Sequence, residues 1–380
     1  MKASRQLSAV ESSAPVSTRS VPRHVRGALC GIGLAALSFG TAMAHGEPIL
    51  PPTSTIGSTV PASGDLNPYG IAFVPNGVPS AGALKPGDVL VSNFNAASNQ
   101  QGTGTTIVKL VADGAPVTFF QGANLGLTTA LAVLKSGYVL VGNLPTNGTT
   151  ITSAGSLLVV NPQGGLVTEL KDATLLDGPW DMAVVVDKTT QVTAFVSNVL
   201  SGTVARIDVS LGANGATLLS SSRIVASGYA HRTDPAALVV GPTGLAYDAA
   251  HDLLYVASTN DNAVFAVPRA ASRMRDDGPG RVVYQDNEHL HGPLALALAP
   301  NGDLVTANGD AVNPDPQQSS EIVEFTPQGR FVAQMQVDPT PGAAFGLAFG
   351  QSGTGQPQFA AVNDGTNTAT VWTLRPRHGE

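Results

Sequence analysis

Two histidines one residue apart, His289-Leu290-His291, form the most reactive pairing in the chain. Neutral imidazoles can begin a zinc-type site or serve as general acid and base. If the stretch is extended, alternation puts both rings on one side. His231, followed by Arg232 and Asp234, is the candidate third contributor to a metal set of His231, His289 and His291. Polar surface loops hold scattered histidines just as readily, so a reading without metal stands beside it. Asp181, between Trp180 and Met182, is the other candidate. A carboxylate among apolar neighbours either faces water, finds a partner or serves a function. Other chemistries find no residues. Cys30 is the single cysteine, and neither a G-x-S-x-G elbow nor a phosphate-binding Walker loop occurs in a strand-to-helix context.

The elements that must position these side chains come as repeats. A proline-bearing or small turn followed by an alternating apolar strand starts six times: Pro68–Phe73, Thr129–Val133, Pro179–Val184, Pro242–Tyr247, Pro293–Leu298 and Ala344–Phe349. Each start leads to a second strand ending on Asn93, Asn143, Asn198, Ser258, Asn308 or Asn363. Third strands follow in all six copies and fourth strands in five. The sixth copy lacks its fourth strand, and the segment Ser58–Pro61 ahead of the first copy is the expected donor. Pairing the two ends in one blade closes a ring and removes exposed sheet edges. The expectation is an all-β, six-bladed β-propeller with four antiparallel strands per blade, against a β-helix or a two-sheet sandwich.

Composition agrees. Gly (42) and Pro (27) are abundant and only 12% of residues are charged, which suits short strands and many turns. Residues 1–44 read as a signal peptide, with a basic stretch, an apolar run from Ala28 to Phe39 and Ala42-Met43-Ala44 as the cleavage motif. Residues 45–57 are then an N-terminal extension, 58–375 the propeller and 376–380 a tail. Cleavage after Ala44 removes five basic residues and one acidic one and shifts the net charge from −7 to −11. That balance disfavours nucleic acid. No membrane span is expected, and the product is a periplasmic or secreted monomer.

The segment Gly241-Pro242-Thr243-Gly244-Leu245-Ala246-Tyr247-Asp248, with Leu253-Leu254-Tyr255-Val256-Ala257-Ser258-Thr259-Asn260-Asp261-Asn262-Ala263-Val264 after it, resembles an NHL repeat. More distantly the chain is similar to the calcium-dependent lactonases of the SMP-30/gluconolactonase group, which share a six-bladed plan. The resemblance implies fold more than function, since propellers carry many unrelated activities. In the lactonase group the position just before the Gly/Ala step supplies Glu, Asn and Asp oxygens to a divalent metal. Here that position holds Tyr69, Thr129, Trp180, Thr243, Leu294 and Phe345, with no acid or amide among them. A hard cation needs several converging oxygens, so the lactonase metal set is missing.

What that ring offers is a partly aromatic mouth, suited to axial packing or to a shallow binding surface. One residue on, the ring reads Gly70, Ala130, Asp181, Gly244, Ala295 and Gly346, with Asp181 the single exception to small residues. The Asn/Ser positions ending the second strands suit capping of the following turn, or a polar ring. The insertion from Asp310 to Ser320 is a further surface for partners, or a plain excursion. A structural interaction protein whose blades only present loops is the reading favoured if the mouth is closed, and two others stand beside it. One is a scaffold binding a small molecule or protein segment at a mouth formed by Tyr69, Trp180, Asp181, Thr243, His291, Asn308 and Phe345. The other is a hydrolase or lyase in which His231, His289, His291 or Asp181 works with a divalent metal, the one cofactor these residues admit.

Overall fold

A computed structural model describes Pro48, Ile49 and residues 53–375 apart from 113, 124, 213, 214 and 236. The leader with Cys30, its cleavage motif, His45 and the 376–380 tail lie outside the described residues.

Six small antiparallel sheets arranged in a ring make a six-bladed β-propeller. Blade 1 runs Leu66–Phe73, Val89–Asn95, Thr106–Lys109 and Val117–Gln121 from the axis outward. Blade 2 runs Leu131–Val133, Val139–Asn143, Ser156–Val160 and Leu166–Leu170. Blade 3 has Pro179–Lys188, Gln191–Asn198, Thr203–Gly212 and Arg223–Ser227. Blade 4 has Pro242–Asp248, Leu253–Ser258, Ala263–Pro268 and Arg281–Tyr284. Blade 5 has Pro293–Leu298, Leu304–Asn308, Glu321–Phe325 and Phe331–Gln336. Blade 6 has Ala344–Gln351, Pro357–Asn363 and Thr368–Thr373, and its outer strand comes from the other end of the chain.

That outer strand is Thr53–Ser58, paired with Thr368–Thr373 from Thr53↔Thr373 to Ser58↔Thr368. The closure was expected, but its strand lies upstream of Ser58–Pro61, and only Ser58 is shared. Val60 and Pro61 instead lead into the first blade, where Asn93 Nδ2 donates to the Thr59 carbonyl at 2.7 Å. Just ahead of the strand, the Ile49 N–H donates to both carboxylate oxygens of the fully buried Glu324 in blade 5, at 3.0 and 3.2 Å. Two further pieces go beyond the repeat. The third strand of blade 3 continues into a hairpin with Gly215–Leu218, and Arg232–Asp234 pairs with Leu238–Val240 in the lead-in to blade 4.

One backbone device recurs where the inner strands start. In blade 1, Pro68 pairs with Asn93 and Ile71 with Val91, so two residues, Tyr69 and Gly70, face the single Ser92. Blades 3, 4, 5 and 6 show the same step. A β-bulge of this kind inserts one residue and re-aims its side chains. The inserted pairs are Tyr69-Gly70, Trp180-Asp181, Thr243-Gly244, Leu294-Ala295 and Phe345-Gly346, the two rings aligned from sequence. Apart from Asp181, the second member is small because the blades nearly touch there. A Cβ on Gly346 would lie 1.9 Å from the Tyr69 carbonyl oxygen, and one on Gly70 would lie 2.3 Å from that of Thr129.

Candidate functional site

The first bulge residues build the mouth. The Trp180 indole N–H donates to the Tyr69 hydroxyl at 2.7 Å, and the two rings meet edge to face with centroids 5.5 Å apart. Tyr69 stacks on Phe345 at 4.7 Å and meets Phe94 at 5.4 Å. Tyr69 and Trp180 are buried, Phe345 is half-buried, and the cluster extends to Leu127, Leu144, Val199 and Val239. Desolvation pushes the Tyr69 phenol well above its ordinary range, so it is a neutral hydroxyl whose role is to accept the indole. Thr243 is locked: its hydroxyl meets Thr259 Oγ1 at 3.0 Å and donates to the Pro293 carbonyl at 3.1 Å. These side chains seal the axis from the mouth side. Around the seal, Ile151, Leu200, Leu238 and Phe345 stay half-exposed as a shallow apolar patch.

Asp181 sits beneath the seal. One carboxylate oxygen accepts the Leu245 N–H of blade 4 at 2.8 Å and the other accepts the N–H of Met182 at 2.8 Å. Its own N–H is held by Ser197 Oγ, which donates onward to the Thr243 carbonyl. The carboxyl lines an axial cavity of about 30 Å³ shared with Thr129, Leu294 and Leu347. Such a space holds one or two waters and no metabolite. Although the residue is only half-buried, desolvation of the carboxyl pushes its pKa up to about 7, outweighing the two N–H bonds that favour the charged form. Asp181 therefore changes charge near neutrality.

The Asn positions hold the lead-in segments more than the turns that follow them. Asn143 Oδ1 accepts Gly126 N–H, and Asn198 Oδ1 accepts Asp177 N–H. Asn308, fully buried, accepts the His291 N–H at 3.0 Å and donates to the His289 carbonyl at 2.7 Å. The expected turn capping is found at Asn363, which accepts the Thr366 N–H, whereas the Ser258 hydroxyl donates to the Asp261 carboxylate instead. Each such bond joins the end of one second strand to the backbone that feeds the same blade.

The histidines do not converge. His289 lies in a turn capped by Asp286, whose Oδ1 accepts the His289 and Leu290 N–H groups. Its ring takes the other carboxylate oxygen at 2.8 Å and stacks on Phe331 at 3.8 Å. His291 is buried, with Nδ1 against the Asn313 carbonyl. A carbonyl only accepts, so Nδ1 carries a proton, and Nε2 has no hydrogen-bond partner. The alternation assumed from sequence fails because this segment is a capped turn ending at Gly292, with φ of 80°, and not a strand. His231 is exposed in the lead-in to blade 4, with Nδ1 near the Tyr229 carbonyl at 3.1 Å. Among the described residues, no three His, Cys, Asp or Glu side chains are arranged to hold a metal ion.

No family model matches the chain, so the likeness to NHL repeats stays one of sequence motif, and no curated protein matches it either. Solved structures do. A gluconolactonase from Xanthomonas campestris aligns with TM-score 0.50 and 14% identity, over 85% of this chain and 90% of that one. The calcium-binding protein regucalcin from Agrobacterium tumefaciens aligns with TM-score 0.51 and 14% identity, over 84% and 95%. A luciferin-regenerating enzyme aligns with TM-score 0.52 and 10% identity, over 86% and 98%. At these identities the likeness establishes the shared six-bladed scaffold and nothing finer.

Proposed function

We propose that this protein is an exported binding scaffold that receives a segment of a partner protein on its mouth face. The observation that carries the reading is the seal: Tyr69, Trp180 and Phe345 fill the place where an axial pocket would open. The cavity left beneath is too small for a metabolite. What the mouth presents outward is a rigid aromatic base ringed by half-exposed Ile151, Leu200, Leu238 and Phe345. Rigid aromatic anchors with a polar surround are what protein interfaces use, since they bury area at little entropic cost. Among the described residues, no helix is long and apolar enough to cross a membrane.

A photo-reactive benzoylphenylalanine placed at Leu200 tests this in the organism's own exported fraction. Discrete adducts are expected there and not from the same residue at Lys188, which is exposed on the opposite face. Equal labelling at both positions, or none at Leu200, would sink the proposal. A hydrolase or lyase reading keeps one supporting observation, the near-neutral Asp181 on the axis.

A further inference from the structure

The up-and-down strand order brings two sets of loops to the mouth face, those from second to third strands and those leading from one blade into the next. Their charge is one-sided. Among the described residues, Lys171 and Arg232 are the only Lys or Arg in these loops, and each is tied to a local carboxylate, Glu169 and Asp234. Acidic side chains occur in the lead-ins to blades 1, 3, 4, 5 and 6 and in the second-to-third-strand loops of blades 4, 5 and 6. The remaining Lys and Arg lie on the strands or toward the opposite face, as with Lys85, Lys135, Lys188 and Arg330.

Several of these acids also cap backbone, as Asp286 and Asp310 do, and capping alone explains an Asp. It does not explain the missing cations, nor the acceptors left over. In blade 5, Glu321 Oε1 and Asp310 Oδ1 are buried without a hydrogen-bond donor, and Glu321 is 2% exposed. The loops supply few cations to offset this acidic surround, and the apolar patch lies at the centre of the same face.

We propose that the segment docking on the mouth is basic: a Lys- or Arg-bearing stretch of a partner protein that sets an apolar side chain against Leu200, Leu238 and Phe345. This rests on the docking reading above and adds the charge of the partner. Opposed potentials of this kind speed encounter and exclude acidic competitors, while the apolar anchor supplies affinity.

Selection of a random linear-peptide display library on the immobilised wild-type protein, counting residues in the retained clones, provides the test. Lys and Arg together with a large apolar residue should be enriched. Binding of those clones should fall at least roughly tenfold when ionic strength rises from about 0.05 M to about 0.5 M. The loop pair Glu288→Lys and Asp315→Lys should weaken them similarly, with unfolding midpoints confirming that the variant is folded. If the retained clones are neutral or acidic yet lose binding to Leu200→Asp, the charge inference is overturned and docking at the mouth stands. If clones ignore Leu200→Asp, or none are retained, both are overturned.

Discussion

A chain beginning at Thr59 will lose roughly 5 kcal/mol or more of unfolding free energy against one beginning at His45, and will form soluble oligomers. The missing piece is the six-residue strand Thr53–Ser58, paired along its whole length with Thr368–Thr373. Each backbone bond adds about 1 kcal/mol net, and the strand also helps cover Trp372, which is 9% exposed. Without it, blade 6 presents an unpaired edge that another chain can extend. A third chain beginning at Thr53 separates two effects, since it keeps the strand but removes Ile49. Burial already pushes the Glu324 carboxyl above its usual range, with Asn301 and the Ile49 N–H opposing that shift. The third chain should therefore fall between the other two. Denaturant midpoints with light-scattering masses decide the matter, and equal midpoints with all three monomeric would refute the clasp.

The second large effect is a pH dependence set by Asp181. Its folded pKa of about 7 lies above the unfolded value of 3.8, so the folded protein holds a proton that the unfolded chain releases. The associated stability is complete below about pH 4 and is lost as pH rises through about 7. Its size is on the order of 4 kcal/mol. Asp208, Asp248, Asp252, Asp286 and Asp338 have lowered pKa values and contribute with the opposite sign, so the wild-type curve alone does not isolate it. The difference between wild type and Asp181→Asn does. Asparagine's amide group opposes one of the two N–H donors, which moves the offset but not the slope. The wild-type advantage over Asp181→Asn should shrink steadily from pH 4 to pH 8, and a parallel pair of curves would show that Asp181 does not titrate in this range.

The fold was readable because each blade repeats a strong local signal. Five of the six second strands end on the expected residue, Asn143, Asn198, Ser258, Asn308 and Asn363. The closing strand was displaced because Thr53-Ser54-Thr55-Ile56-Gly57-Ser58 is small and polar, with Ile56 59% exposed, so it carries no period-two pattern. The hairpin Arg232–Asp234/Leu238–Val240 is too short to signal itself, although it delivers Leu238 and Val239 to the mouth.

The site was legible as an anomaly and not as a geometry. Asp181 stood out against five Gly or Ala positions, but its Leu245 donor comes from the next blade and leaves no mark in local spacing. Tyr69 and Trp180 were expected at the starts of the inner strands, and both lie in the bulges there. That they bond to each other and close the mouth depends on the bulge, whose only sequence trace is the Pro and Gly/Ala flanks.

Everything proposed for this protein depends on that closure, and tryptophan fluorescence reads it directly. The chain has two tryptophans, so Trp372→Phe leaves Trp180 as the only emitter. With Trp180 5% exposed and its indole N–H bonded to Tyr69, acrylamide should quench it only marginally, while unfolding in denaturant should restore full quenching. Quenching in the folded state as efficient as that of an exposed indole would mean that the mouth is open, and an axial pocket would replace the docking face.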